Sequence, residues 1–420
     1  MAMTLSEKIL ASHAGKKSVT PGEFLQVKVD VILVQDLTAG LTIESFYQIG
    51  ATKVFDTSKI VMVIDHGVPA KTVQTAEGTR RMRCFARTFG IPYYEVGRAG
   101  ICHIFLPEQG FVLPGDLVVG ADSHTCTYGA VGAFATGMGS TDIAVAMATG
   151  ETWMRVPSST KFVYRGRPGK WIGGKDLILY TVGQIGVDGA NYAAMEFTGE
   201  ALQYLSMDDR FAMSNMAIEA GAKVGLHRID EKASAYVKGR AKRPYRVYEP
   251  DEDAEYEKLY NFEVSDLEPQ VAFPFLPSNV RPISQVGEIT IQQAAIGSCC
   301  NGWIGDLRIA ARILKGRKVH PDVRLIINPG TPQIYLDALR EGMIETFVEA
   351  GAVISTPNCG PCSGAHVWLL APGERCIATT NRNFVNRMGG PGSEVYLSGP
   401  AVAAASAITG KISSPLEVQE

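Results

Sequence analysis

Apolar runs that end in polar residues and are followed by Gly, Pro or a helical repeat punctuate this chain. That is how the buried strands of a mostly parallel α/β sheet look in sequence. Three runs share one form: "VDVILVQDLT" (29–38), "KIVMVIDHGVP" (59–69) and "GDLVVGADSHT" (115–125). The second and third deliver Asp65–His66 and Asp122–Ser123–His124 to the carboxyl end of the strand, where open α/β sheets bind their ligands. A shorter apolar segment, "GICHIF" (100–105), sets His103 in a similar strand-end context. Helical signals lie between the runs. Thr4 and Glu7 form a capping box ahead of Ile9 and Leu10. "FAMSNMAIEAGAKVG" (211–225) has a helical pattern that puts Asn215 and Glu219 at i and i+4 on one face.

The density of charge in "YEPDEDAEYEKLY" (248–260) predicts a solvated face or a linker. Prolines and polar residues in "LPSNVRPISQVGE" (276–288) mark a boundary, after which strand and helix patterns alternate again to the end. No repeat of solenoid period is present.

A length of 420 residues calls for two to three domains. The composition, 46% hydrophobic and 20% charged, is that of a globular α/β enzyme rather than a disordered or fibrous chain. A net charge of −3 removes any electrostatic reason to favour nucleic acid or an anionic membrane as the main partner, and leaves small molecules. The apolar stretch 131–150 is rich in Gly and Ala and carries Asp142, so it reads as tight helix packing, not a membrane span. The first residues lack the basic start, apolar run and cleavage site of a secretory signal. We therefore expect a cytoplasmic protein whose eight cysteines are reduced thiols.

Two of those thiols, Cys359 and Cys362, sit in "PNCGPCS" (357–363), a stiff Cys-x-x-Cys turn. Zinc wants four ligands, but Cys299 and Cys300 are adjacent and His366 stands alone. A thioredoxin-like dithiol belongs near the start of a small βαβ domain. Iron–sulfur clusters use thiolates, and Cys299 offers a third in "GSCCN", which follows a strand and opens a helix. Three cysteines leave one iron of a four-iron cluster without a protein thiolate, open to act as a Lewis acid. Spacing alone leaves structural thiols and a zinc site as alternatives.

Taken in order, "VQDLTA", "DHGVP", "GICH", "GADSHTCTYGA", "SNMAIEAGA", "GSCCNGWIGDLR", "NCGPC" and "PGERCIATTNRNFVNR" resemble the motifs of the aconitase superfamily over nearly the whole chain. The resemblance is to the branch in which the large subunit is a separate polypeptide. It implies an aconitase-like α/β fold of three α/β/α domains around a central cleft, at about 1–160, 161–285 and 286–420, lacking the swivel domain. It also implies a hydro-lyase of hydroxy di- or tricarboxylic acids with a [4Fe-4S] cluster held by Cys299, Cys359 and Cys362.

By the same resemblance Asp65 with His66, Asp122 with His124, His103 and Glu219 are the acid/base residues. Gln35, Ser123, Asn215, Asn381, Arg382 and Arg387 contact substrate or cluster. Hydroxide leaves poorly unless protonated and metal-bound, which gives such a set its purpose. An arginine pair suits a carboxylate substrate. Singly, each residue has a bland reading: a satisfied buried histidine at 103, Asp turns at 65 and 122, a surface pair at 215 and 219, ordinary ion pairs at 382 and 387. Their ordered co-occurrence favours the functional one.

The expected reaction interconverts 2- and 3-isopropylmalate in leucine biosynthesis, with homoaconitase-type and 2,3-dimethylmalate-type dehydration as alternatives and an RNA-binding iron sensor as a reading from another class. Two features depart from the family pattern. Cys300 stands beside the expected ligand, where the family commonly has Thr, and Gln35 stands where the branched-chain enzymes often have His. Only twenty residues follow "YLSGP" (396–400), so a separate small subunit is expected to supply the swivel domain and the proton-abstracting base. Cys84, Cys102, Cys126 and Cys376 are expected to be packing residues.

Overall fold

A computed structural model describes residues 2–364 and 367–418; His366 lies outside them. The chain forms two compact units, one of residues Met1–Tyr164, Ala190–Gly199 and Ser214–Phe262, the other of Arg165–Gly189, Glu200–Met213 and Glu263–Glu420. The stretch 161–285 is thus shared: strands Ala194–Thr198 and Val224–His227 lie in the first unit and helix Gly174–Ile185 in the second.

The first unit is built on a five-stranded parallel sheet in the order Tyr93–Tyr94, Ile60–Val63, Val31–Gln35, Leu117–Gly120, Phe134–Gly137. Its central strands are buried along their whole length, because helices cover both faces of such a sheet. Leu33, Met62 and Val119 in these strands are shielded completely from solvent. The expected capping box is present: Thr4 N donates to Glu7 Oε2 at 2.8 Å and opens helix Leu5–His13. A smaller four-stranded sheet, Val224–His227, Ala194–Thr198, Ser159–Arg165, Lys258–Glu263, completes the unit with the antiparallel pair Phe24–Lys28 and Glu151–Arg155.

The second unit centres on a seven-stranded sheet in the order Val280–Pro282, Gln270–Ala272, Glu394–Ser398, Arg375–Ala378, Gln293–Ile296, Arg324–Ile327, Val353–Ile354. The last five run parallel and the first two are antiparallel additions. Helices Ile304–Leu314 and Pro332–Arg340 connect the parallel strands.

Both sheets reverse their winding. In the first unit the chain runs outward from Val31–Gln35 to one side, then restarts beside it with Leu117–Gly120. In the second, Gln293–Ile296 leads to one side and Arg375–Ala378 restarts beside it. The carboxyl ends of strands at such a switch point diverge and leave a crevice, the usual ligand site of doubly wound sheets.

Three local expectations need correction. His103 is not at a strand end but in the first turn of helix Cys102–Glu108, because so short an apolar run has no period that separates a strand from a brief buried helix. The segment 211–225 is not one helix: Met207–Asn215 gives way to a 3₁₀ turn over Met216–Ala220 and then to strand Val224–His227, so Asn215 and Glu219 do not share a helix face. Cys84 is exposed, whereas Cys102, Cys126 and Cys376 are buried as expected. No described helix is long and apolar enough to cross a membrane.

Candidate active site

In the first unit the switch point carries Gln35 on one strand and Asp122 just past the other. Gln35 Oε1 accepts from Leu37 N at 2.5 Å and so caps helix Asp36–Gln48, while its Nε2 donates to Asp122 Oδ2 at 3.3 Å. The neighbouring strand delivers Asp65, which is wholly buried, and His66. Asp65 Oδ1 lies 2.7 Å from His66 Nδ1, and its Oδ2 accepts from Cys102 N at 2.7 Å.

The turn that holds this pair rests on a residue that sequence reasoning missed. Asp36 accepts the backbone N–H groups of Asp65 (3.0 Å), His66 (2.9 Å) and Gly67 (2.7 Å). A Cβ at Gly67 would stand 2.7 Å from Thr75 Cγ2 and 3.0 Å from Asp36 Oδ2, so a side chain there would have to push the Thr75 methyl and the Asp36 carboxylate aside. The signal was the acid next to Gln35 in "VQDLTA", which also reads as an ordinary first-turn acid of a helix.

Asp122 is the hub. Its Oδ1 meets His103 Nε2 at 3.0 Å and accepts from His124 N at 2.8 Å, and its Oδ2 lies 3.8 Å from His66 Nε2. His103 Nδ1 turns to the Tyr128 hydroxyl at 3.2 Å, a second contact absent from the sequence reading. His124 spends its ring on Glu219, with Nε2 2.9 Å from Oε1. The expected Asp122–His124 ring pair is therefore looser, at 3.6 Å from Nδ1, than the Asp122–His103 and Glu219–His124 contacts. Asn215 sits behind them, donating from Nδ2 to Thr127 Oγ1 at 2.8 Å. Ser123 and Asp122 border a hollow of about 340 Å³ that Tyr192 and Lys223 also line.

Burial opposes charge on His66, but the carboxylates of Asp65, Asp122 and Asp36 outweigh it and hold the imidazolium well above its usual range. Burial likewise opposes charge on Asp122, yet His103 and His124 keep its carboxyl well below the usual value. For Asp36, burial wins, aided by the neighbouring charge of Asp65, and its carboxyl is raised. A histidine pushed toward its charged form thus lies beside a carboxylate held ionised, a contrast of the kind that general acid/base chemistry uses.

The second unit brings its thiols to its own switch point. Cys299 follows strand Gln293–Ile296 through Gly297 and Ser298, both at positive φ (146° and 69°). Thr379 Oγ1, at the end of the adjacent strand, accepts from Gly297 N at 2.9 Å and donates to Gly297 O at 3.1 Å. Cys359 and Cys362 flank the start of the turn Gly360–Ser363. Asn358 Oδ1 pins that turn by accepting from Gly360 N at 2.7 Å and Asn328 Nδ2 at 3.2 Å.

Asn381 joins the two thiol segments. Its Nδ2 donates to Cys299 Sγ at 3.2 Å, and its Oδ1 lies 3.0 Å from Cys362 Sγ. Cys299, Cys359 and Cys362 are all buried and in no disulfide. Three buried thiols on two rigid turns, two of them spanned by one amide, are a donor set that fits an iron–sulfur group. Cys300 points elsewhere, toward Lys175 Nζ at 3.5 Å, and burial pushes its thiol up to about 12. Arg382 and Arg387 follow Asn381, both half-buried, and Arg387 Nε is a buried donor with no acceptor among the described residues.

The profile of the aconitase family (aconitate hydratase) matches residues 7–288 and 284–410. A 3-isopropylmalate dehydratase large subunit from Moorella thermoacetica is 60% identical over 419 residues, with 100% of each chain covered. Proteins of the same description from Acetivibrio thermocellus and Caldanaerobacter subterraneus are 57% and 59% identical, again over 100% of each chain. Among solved structures, Thermococcus kodakaraensis aconitase X in its holo form superposes with a TM-score of 0.50 at 13% identity, covering 91% of this chain and 93% of that one, a likeness of fold alone. A family profile that spans nearly the whole sequence, with relatives matched from end to end, makes this chain a member of the aconitase family.

Proposed function

We propose that this chain is the large subunit of a 3-isopropylmalate dehydratase, the hydro-lyase that interconverts 2- and 3-isopropylmalate in leucine biosynthesis. The observation that carries the reading is identity of 57% to 60% over full length to relatives of that description. A [4Fe-4S] group held by Cys299, Cys359 and Cys362 would supply Lewis acidity for departure of the substrate hydroxyl.

The chain's own residues do the rest. His66, kept as imidazolium by Asp65, is the proton donor, and Asp36 holds the turn that aims it. Asp122 stays ionised and orients His103. The His124–Glu219 pair holds a second proton within reach of the hydroxyl. Gln35, Ser123 and Asn215 order the substrate side of this set. Arg382 and Arg387 bind carboxylate groups of the substrate, with Arg387 Nε as a donor that a carboxylate would satisfy. A separate small subunit carries the swivel domain and the base that abstracts the carbon-bound proton, and the assembly works in the cytoplasm.

The test is anaerobic reconstitution with iron and sulfide, with and without the small subunit, followed by a panel of 2-isopropylmalate, homocitrate, citrate and 2,3-dimethylmalate. Turnover of isopropylmalate that needs both chains is expected. Preference for homocitrate or 2,3-dimethylmalate would move the substrate to an alternative in the same class.

A further inference from the structure

Lys175 is 1% exposed, near the start of helix Gly174–Ile185 in the second unit. Its ammonium donates to Thr380 O at 2.6 Å, to Thr379 O at 3.0 Å and to Cys300 Sγ at 3.5 Å. Two of the three partners are backbone carbonyls, which carry no charge, and the third is the sulfur of Cys300. The next residue, Asp176, feels the charge of Lys175 but its hydrogen bonds go elsewhere, to the backbone N–H groups of Gln270 (2.9 Å) and Gly173 (3.0 Å). No carboxylate accepts a hydrogen bond from Lys175 among the described residues.

Burying an ammonium without a hydrogen-bonded carboxylate is costly even after the surroundings relax. Proteins retain such a group where an anion balances it. The carbonyls that Lys175 grips belong to the two residues immediately before Asn381, whose amide touches Cys299 Sγ and Cys362 Sγ. On its other side it touches Cys300, the neighbour of Cys299. An iron–sulfur group ligated by three thiolates carries net negative charge, and the charge and hydrogen bonding around it set its potential.

We propose that Lys175 is the buried counter-charge of the iron–sulfur pocket and the positioning residue that holds the strand exit 379–381 so that Asn381 spans two of the thiols. This rests on the cluster assignment made under the proposed function. The lysine acts through charge and through the carbonyls it fixes, not by touching substrate.

The experiment compares wild type, Lys175→Gln and Lys175→Arg as full chains, each loaded anaerobically with iron and sulfide. Three readouts are followed: the rate of iron loss to a chelator, the reduction midpoint of the cluster by potentiometric EPR, and the gain in melting temperature on loading. In Lys175→Gln iron should be lost about tenfold faster, the factor for ~1.4 kcal/mol. Its midpoint should fall, because a nearby positive charge favours the more negative reduced state, and the gain on loading should shrink. Lys175→Arg should recover most of the retention and the midpoint. Equal retention and an unchanged midpoint in folded Lys175→Gln would overturn the proposal. So would failure of both variants to fold without iron, which would make Lys175 a packing residue only. If wild type itself holds no iron and sulfide, the cluster reading fails instead, an outcome separate from these.

Discussion

At Asp122 the chain concentrates three histidines on one carboxylate, and the consequences of that arrangement can be titrated. His66 has its folded pKa above the ordinary 6.5. Its charge therefore adds stability that is fully present below about 6.5 and is lost as pH rises through the folded value. Asp122 has the opposite sign: its folded pKa lies below the ordinary 3.8, so its contribution is present above that value and is lost as pH falls through the folded one. Asp65→Asn removes the largest of the charges that raise His66 and should bring its titration down toward the ordinary range, read from the His66 ring carbon shifts by NMR. If His66 titrates unchanged in that variant, Asp65 is not its charge partner. Asn381→Ala should leave the iron-free fold intact within about 1.5 kcal/mol, the size of a lost hydrogen bond, yet weaken iron retention, since the amide spans Cys299 and Cys362. Metal analysis after gel filtration decides it.

At the scale of elements, the strand-end turns carry the site, and their geometry is demanding. Gly297 has φ 146°, and a Cβ there would lie 2.6 Å from Asn328 O. Gly297→Ala should therefore cost roughly 1–3 kcal/mol for backbone strain, with further loss from the clash, and misplace Cys299. Chemical denaturation of the iron-free chain measures the first effect and iron content the second; wild-type values for both would remove the turn from the account. The strands themselves were legible in the sequence, since a buried parallel strand must be an uninterrupted apolar run and its end must turn polar. Val31–Gln35, Ile60–Val63 and Leu117–Gly120 fall inside the three runs quoted. The segment around His103 was not legible, because a four-to-six-residue apolar run has no period long enough to tell a strand from a buried helix.

For the whole molecule, each of the two units carries its own group of side chains at a switch point: histidines and carboxylates on one sheet, thiols on the other. An iron chelator applied to the loaded chain should lower its melting temperature, because a group bound only by the folded state stabilises it by mass action. The thermal transition of the second unit, followed by Trp303 fluorescence against its stacked neighbour Phe211, should respond most. A chelator with no effect on melting would argue against thiol-held iron.

The ordered motifs in the sequence were enough to name the family, the thiols and the polar side chains at strand ends, because each of these is written in a few consecutive residues. Which histidine takes which carboxylate was decided only by the tertiary structure. Asp122 pairs with His103, 19 positions away, and Glu219 with His124, 95 positions away. The support of Asp36 beneath the Asp65–His66 turn, the divergence of Cys300 from Cys299 and the burial of Lys175 belong to the same class. Local pattern records burial and period, whereas pairing among charged groups depends on distances that exist only once the sheets have formed.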